Sequence, residues 1–307
     1  MLLEEGKDEG RDLVVAHLTD PHVFVPRALT LSALSDKRLL GGVNALLFRR
    51  RKYRREVLEA AFDALGRIRP DHLVITGDIT TLGARAELEV FGELLAKLPL
   101  GPGQVTLVPG NHDAYLTSLV KARYVQELLG PYMTSDPPFD GEAWPRVRLR
   151  GDLAIIACNT ARPSGPFLAL GTLGKGQLER LDELLCDARV AGRFRLLALH
   201  HPPQSGAGHW HNRLTDARAL GRVLGRQGAE LVLHGHLHRD LVAAIEGPDK
   251  AIPVRGAASA SSVDQGEGRR GAFWLYKISG RKLVGSERWT YESGSFAPGV
   301  RQEGSRQ

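Results

Sequence analysis

Histidine recurs at every second position of LVLHGHLH, residues 231–238, directly after an apolar run. His234, His236 and His238 carry imidazoles, the commonest metal ligands, and residues i and i+2 of a strand share a face. At a strand end, where Gly235 frees the backbone to turn, two such rings converge on one point or on two neighbouring points. Two ligands do not make a site, so the other donors must come from elsewhere. They recur in TDPH (Asp20, His22), TGDIT (Asp78), PGNHD (Asn111, His112, Asp113) and HHPP (His200, His201). The mixed Asp/His/Asn set suits Mn2+, Fe2+/Fe3+ or Zn2+ better than Mg2+ or Ca2+, which prefer all-oxygen shells. It also exceeds the needs of one ion. A carboxylate such as Asp78 can bridge two ions about 3.5–4 Å apart, which activate a bridging hydroxide and clamp phosphoryl oxygens.

Five clusters need five carriers. A short apolar run precedes each one, at residues 13–18, 72–75, 105–108, 196–199 and 231–233, and a sixth run occupies 153–157. Between most of them lie stretches of helical periodicity, at 54–68, 84–98, 116–129, 176–190 and 216–226. Strands alternating with helices predict a layered α/β fold, and the carboxyl ends of strands are where such sheets build sites. Beyond His238 the runs are closely spaced (241–245, 252–255, 272–278, 283–290), which predicts a second, more antiparallel sheet closing the molecule. One domain over residues 1–292 is expected, followed by a polar, Gly/Ser-rich disordered tail at 293–307.

The ordered set D-x-H, G-D, G-N-H-D, H-H-P-P and G-H-x-H, from about Val14 to His238, resembles the calcineurin-like metallophosphoesterase superfamily. In layout it is most similar to bacterial class III cyclic-nucleotide phosphodiesterases. The resemblance implies a four-layer α/β/β/α sandwich with two mixed sheets flanked by helices. It implies a first metal held by Asp20, His22, Asp78 and His238, and a second held by Asp78, Asn111, His200 and His236. His112 would contact the substrate phosphate or protonate the leaving group, and Asp113 would support the histidine or its loop. His234 and His201 would lie behind the ligands, and His17 and His72 would be packing or hydrogen-bonded positions. Every family ligand has a counterpart, which argues against a catalytically dead scaffold.

These motifs specify chemistry rather than substrate. The loop GAGHWHNRLTD offers His209, Trp210, His211 and Arg213, an aromatic and cationic set able to stack on a base and pair with a phosphate. The other reading is a surface loop whose Trp packs on the domain. The stretch 37–55 carries eight basic residues and no acidic one, against a net charge of +6 for the chain. Without it the balance is −2, so no global nucleic-acid surface is implied. Its interleaved Leu39, Leu40, Val43, Leu46, Leu47 and Phe48 suggest an insertion that packs on its own domain or touches an anionic membrane. The latter would suit a nucleotide-activated lipid of the UDP-diacylglucosamine type. A non-enzymatic, metal-stabilised binding module is the reading from a different class. Two cysteines, Cys158 and Cys186, exclude a disulfide scaffold, and an acidic N-terminus without an apolar core shows no cleavable signal. A cytoplasmic protein, with possible peripheral contact at the inner membrane surface, is the expectation.

Overall fold

The structure is a computed structural model that describes residues 11–26, 50–114, 123–139, 141–165 and 168–303. Two six-stranded sheets face each other. The first has the order β12-β11-β10-β1-β2-β3, with β1 (Leu13–Leu18), β2 (His72–Ile75) and β3 (Val105–Leu107) parallel. The antiparallel strands β10 (Ala272–Ser279), β11 (Lys282–Glu292) and β12 (Ser295–Glu303) extend it from β1. The second has the order β4-β5-β6-β7-β9-β8. Its parallel centre is β5 (Leu153–Ala157), β6 (Phe194–Ala198), β7 (Leu231–His234) and β9 (Ile252–Gly256). Antiparallel β4 (Arg146–Arg150) and β8 (Leu241–Ile245) form its edges.

Alternation along the strands builds the layers. Val15 and Val74 point inward to Ile155, Phe194, Leu196, Leu231 and Leu233 of the opposite sheet. Their neighbours Ala16, Leu18, Leu73 and Ile75 point outward to helices α1 (Arg55–Ile68) and α2 (Arg85–Ala96). In α1, Val57, Leu58, Ala61, Phe62, Ala64 and Leu65 form one buried stripe, the i, i+3, i+4 spacing of an amphipathic helix. The helix ends at Arg69, in a left-handed conformation just before Pro70. On the far side, α4 (Lys175–Cys186) and α6 (Ala217–Gln227) cover the second sheet through Leu181, Leu185, Leu220 and Leu224. Short α3 (Tyr124–Leu129) and α5 (Ala188–Ala191) complete the helices named here. The result is the expected α/β/β/α sandwich.

Two expectations need correction. The closely spaced strands after His238 make no sheet of their own: β8 and β9 join the second sheet, whereas β10 to β12 join the first. The tail expected to be disordered from 293 instead supplies β12, paired to β11 from Glu292↔Ser295 to Gly285↔Glu303. Phe296 anchors it, buried against Phe273 at 5.3 Å between ring centroids. Cys158 is buried and Cys186 is exposed. Residues 27–49, which include most of the basic stretch, lie outside the described residues, as do 116–122 of the expected helix at 116–129.

Buried Glu87 opens α2, where its Oε2 accepts from Leu82 N (2.9 Å) and Ala84 N (3.2 Å). Burial outweighs these bonds and pushes its carboxyl up to about 8. With the folded value raised, its contribution to stability is full below about 4.5 and is lost as pH rises through about 8. Glu87→Gln keeps the acceptor and cannot ionise. Its melting temperature relative to wild type is therefore expected to climb between pH 6 and pH 9. Parallel curves for the two proteins would contradict this.

Candidate metal centre

The carboxyl ends of β1, β2, β3, β6 and β7 lie along one rim, and backbone hydrogen bonds tie their loops together. Asp20 N donates to Gly77 O, His22 N to Asp78 O, and Gly235 N to His200 O, each at 3.0 Å. These links place Asp20, His22, Asp78 and His238 in one group whose donor atoms lie within 4.8 Å of one another. His22 Nε2 stands 3.0 Å from His238 Nε2, and His238 Nε2 stands 3.1 Å from Asp20 Oδ1. Beside them, Asn111 Oδ1 lies 3.1 Å from His200 Nε2 and 2.9 Å from His236 Nδ1. Asp78 faces both groups, with Oδ2 3.9 Å from His22 Nε2 and Oδ1 3.4 Å from His200 Nε2.

The outward nitrogens fix the inward ones. His200 Nδ1 donates to Thr76 O at 2.7 Å, and His236 Nε2 donates to Asn212 O at 2.8 Å. In its neutral form each ring turns a lone pair inward, and His200 Nε2 and His236 Nδ1 are 3.2 Å apart. The Asn111 carbonyl oxygen, a third acceptor, faces both. Acceptors converging in this way require a cation or a proton between them. Asp20 and Asp78 add two carboxylates exposed by no more than 1%, a burial that costs several kcal/mol per charge unless compensated. Asp20 Oδ1 has no hydrogen-bond partner among the described residues. The donor set thus fits two divalent ions sharing Asp78.

Electrostatics agree. Burial alone would raise the Asp78 carboxyl, but His200, His112 and His22 hold it well below the usual carboxylate range. Burial alone would lower His200, yet the Asp78 carboxylate lifts it to about 9. Burial and then His200 push His236 down to about 3. The buried Asp78 carboxylate is thus anionic, with positive charge drawn to His200 and not to His236.

The local backbone is specialised for this. Asp20, His22, Asp78, His236 and His238 all have positive φ, between 45° and 73°. Non-glycine residues in this region cost free energy and cluster at functional sites. Gly235 is needed for a different reason from the free turn expected of it. A Cβ there would lie 2.0 Å from Thr19 Oγ1 and 2.5 Å from Asp20 Oδ2. Gly110 likewise leaves room for Asp78, whose Oδ1 would be 2.2 Å from a Cβ.

Other residues support the ligands. His112 N donates to Asp78 Oδ1 at 2.8 Å, while its Nδ1 donates to Thr81 O at 2.8 Å. Asp113 accepts from Gly110 N (2.9 Å), Thr80 N (3.0 Å) and Thr80 Oγ1 (2.9 Å), so it braces the loop. His201 lies close enough to His200 and His236 to complete a three-histidine group. Both its nitrogens are engaged elsewhere, Nδ1 with Thr160 Oγ1 (2.8 Å) and Nε2 with Ala169 O (3.1 Å), which leaves it behind the ligands. His234 is buried, its Nδ1 donating to Gly235 O at 2.9 Å, outside both groups. His17 and His72 bond Thr76 Oγ1 and Thr106 Oγ1, each at 2.8 Å.

The loop at 206–216 reaches the centre through Asn212 O rather than through its aromatic and cationic residues. His209 and His211 stack on each other at 5.5 Å, Trp210 is 73% exposed, and Arg213 is also exposed. Sequence reasoning missed Tyr53, whose hydroxyl is 2.5 Å from His238 Nδ1 and whose ring lies 4.8 Å from that of His22. A cavity of about 560 Å³ adjoins them, lined by His22, Tyr53, Arg51, Arg54, Phe24 and Leu58 among others. The basic stretch concealed Tyr53, since its cations drew attention to the surface.

A sandwich with candidate metal ligands at the strand ends of both sheets is the architecture of a metallophosphoesterase. The calcineurin-like phosphoesterase family model matches residues 13–240, and the chain belongs to that family. It is accordingly a metal-dependent hydrolase of phosphoric esters. It is 29% identical to a cAMP/cGMP dual specificity phosphodiesterase of Mycobacterium tuberculosis, over 81% of this chain and 67% of the relative. It is 30% identical to a probable cyclic nucleotide phosphodiesterase of Rhodococcus erythropolis, over 80% and 70%. Among solved structures, a dimetal phosphatase from Danio rerio shares the fold at TM-score 0.61 and 15% identity, over 93% of this chain and 98% of that one.

Proposed function

We propose that the chain is a dinuclear phosphodiesterase that opens 3′,5′-cyclic nucleotides. The observation that carries the reading is the pair of adjoining donor groups that share Asp78. The similarity to a cAMP/cGMP dual specificity phosphodiesterase of Mycobacterium tuberculosis and a probable cyclic nucleotide phosphodiesterase of Rhodococcus erythropolis supports the substrate class. Asp20, His22, Asp78 and His238 would hold one divalent ion, and Asp78, Asn111, His200 and His236 the other. When bound, the two ions supply an activated water and a clamp for phosphoryl oxygens. Around them this chain's residues have separate tasks. Thr76 O and Asn212 O hold His200 and His236 in the tautomers that face the centre. His112, 9% exposed at the rim and oriented by Thr81 O, is placed to stabilise charge on the phosphate or give a proton to the departing alcohol. His209, Trp210, His211 and Arg213, on the loop that carries Asn212, are the candidates for base recognition.

No helix among the described residues is long and apolar enough to cross a membrane. Turnover of 3′,5′-cyclic AMP and of a nucleotide-diphosphate lipid in mixed micelles, both by the Mn2+-loaded protein, tests the substrate class. The cyclic nucleotide is expected to be preferred. Preference for the lipid would overturn the assignment and draw residues 37–55 into the substrate site.

A further inference from the structure

We infer that Tyr53 is a positioning residue for the metal centre, holding His238 in the tautomer and orientation that present Nε2 to the ion. The inference rests on the dinuclear reading and adds to it a residue outside the family motifs. His238 Nε2 is the inward nitrogen, close to Asp20 Oδ1 and His22 Nε2. Its Nδ1 is the outward one, and the atom facing it is Tyr53 Oη at 2.5 Å. For Nε2 to keep its lone pair, Nδ1 must carry the proton, so the phenol oxygen accepts it. The carbonyls of Thr76 and Asn212 do the same for His200 and His236. The Tyr53 ring meets that of His238 edge-on, 5.4 Å between centroids at 90°. The phenol therefore fixes both the proton and the plane of this ligand.

Tyr53 is held by more than this bond. It forms an antiparallel bridge with Ser262, flanked by Arg54 N donating to Ser261 O (2.8 Å) and Val263 N donating to Lys52 O (2.9 Å). Lys52 Nζ pairs with Asp264 Oδ2 at 3.0 Å. The same loop secures the first ligand cluster from behind, since Ser259 Oγ donates to Asp20 O (2.6 Å) and Ala260 N to Thr19 O (2.9 Å). One loop thus sets Asp20 and Tyr53 in register. Unlike a carbonyl, a phenol can be deleted by substitution, so the contribution is measurable.

Hydrogen-bonded partners of metal-bound histidines are worth about 10- to 100-fold in metal affinity. Tyr53→Phe removes only the hydroxyl. Mn2+ titration of the metal-stripped protein, followed by the electron paramagnetic resonance of free Mn2+, is expected to show two sites in wild type. In the variant one of them should weaken by about 10-fold or more, with the other site and the melting temperature of the stripped protein unchanged. In a His238→Ala background, the same substitution should cost nothing further. Undiminished affinity at both sites would overturn the inference, as would equal weakening of both together with a lower melting temperature. Absence of two sites in wild type would instead defeat the dinuclear reading itself.

Discussion

Asp78→Asn is expected to remove turnover by about a thousandfold or more, the upper end for loss of one electrostatic group, and to weaken both ions together. The substitution keeps the shape and an oxygen to accept from His112 N, so the loop at 110–113 should hold. What it removes is the charge that faces His22 on one side and His200 on the other. Every other ligand in the assignment serves a single ion. Substitution of His236 or His238 should therefore weaken one ion only, and the contrast between patterns identifies the shared residue. Asp78→Asn with ordinary affinity at both sites would show that the carboxylate does not bridge.

The second large effect separates catalysis from metal binding. His112 belongs to neither ligand set, yet it stands between Asp78, to which its backbone donates, and the His22 ring at 5.1 Å. His112→Ala should lower turnover by about a hundredfold while both ions bind as in wild type. Asn111→Ala should show a similar loss accompanied by weaker binding of one ion, because Asn111 Oδ1 points at the space between His200 and His236. If His112→Ala retained turnover within a few-fold of wild type, its role in charge stabilisation or proton transfer would be lost. The same experiment speaks against a binding module, for which this substitution should change nothing.

The donor clusters were legible because this chemistry uses few residue types at strand ends. Asp20, His22, Asp78, Asn111, His200, His236 and His238 come together as their motifs imply. The division among the three alternating histidines was legible too: His236 and His238 enter different groups and His234 lies apart. The reason for Gly235 was not legible, because it depends on Thr19 and Asp20, more than two hundred residues away in sequence. Tyr53 was hidden for a similar reason, since only the bridge to Ser262 carries it to His238.

Two strands escaped detection for identifiable causes. β4, RVRLR, looks like solvated charge, but Asp136 neutralises Arg148 (3.0 Å) and Arg150 (2.5 Å) beside this edge strand. β12 contains Pro298 and Gly299 after a Gly/Ser stretch, which suggests a tail. As an edge strand it tolerates a proline that a central strand would not. The register irregularity between Glu287 and Trp289 lies opposite that segment. Both cases turn on partners that local periodicity does not register.

The most direct measurement is the number of Mn2+ ions bound per chain by equilibrium dialysis, in wild type and in the His236→Ala and His238→Ala variants. Two ions in wild type and one tightly bound ion in each variant are predicted, with the remaining ion in a different site in the two cases. A wild-type stoichiometry of one or none, or the same residual site in both variants, would contradict a centre built from two ligand sets joined at Asp78.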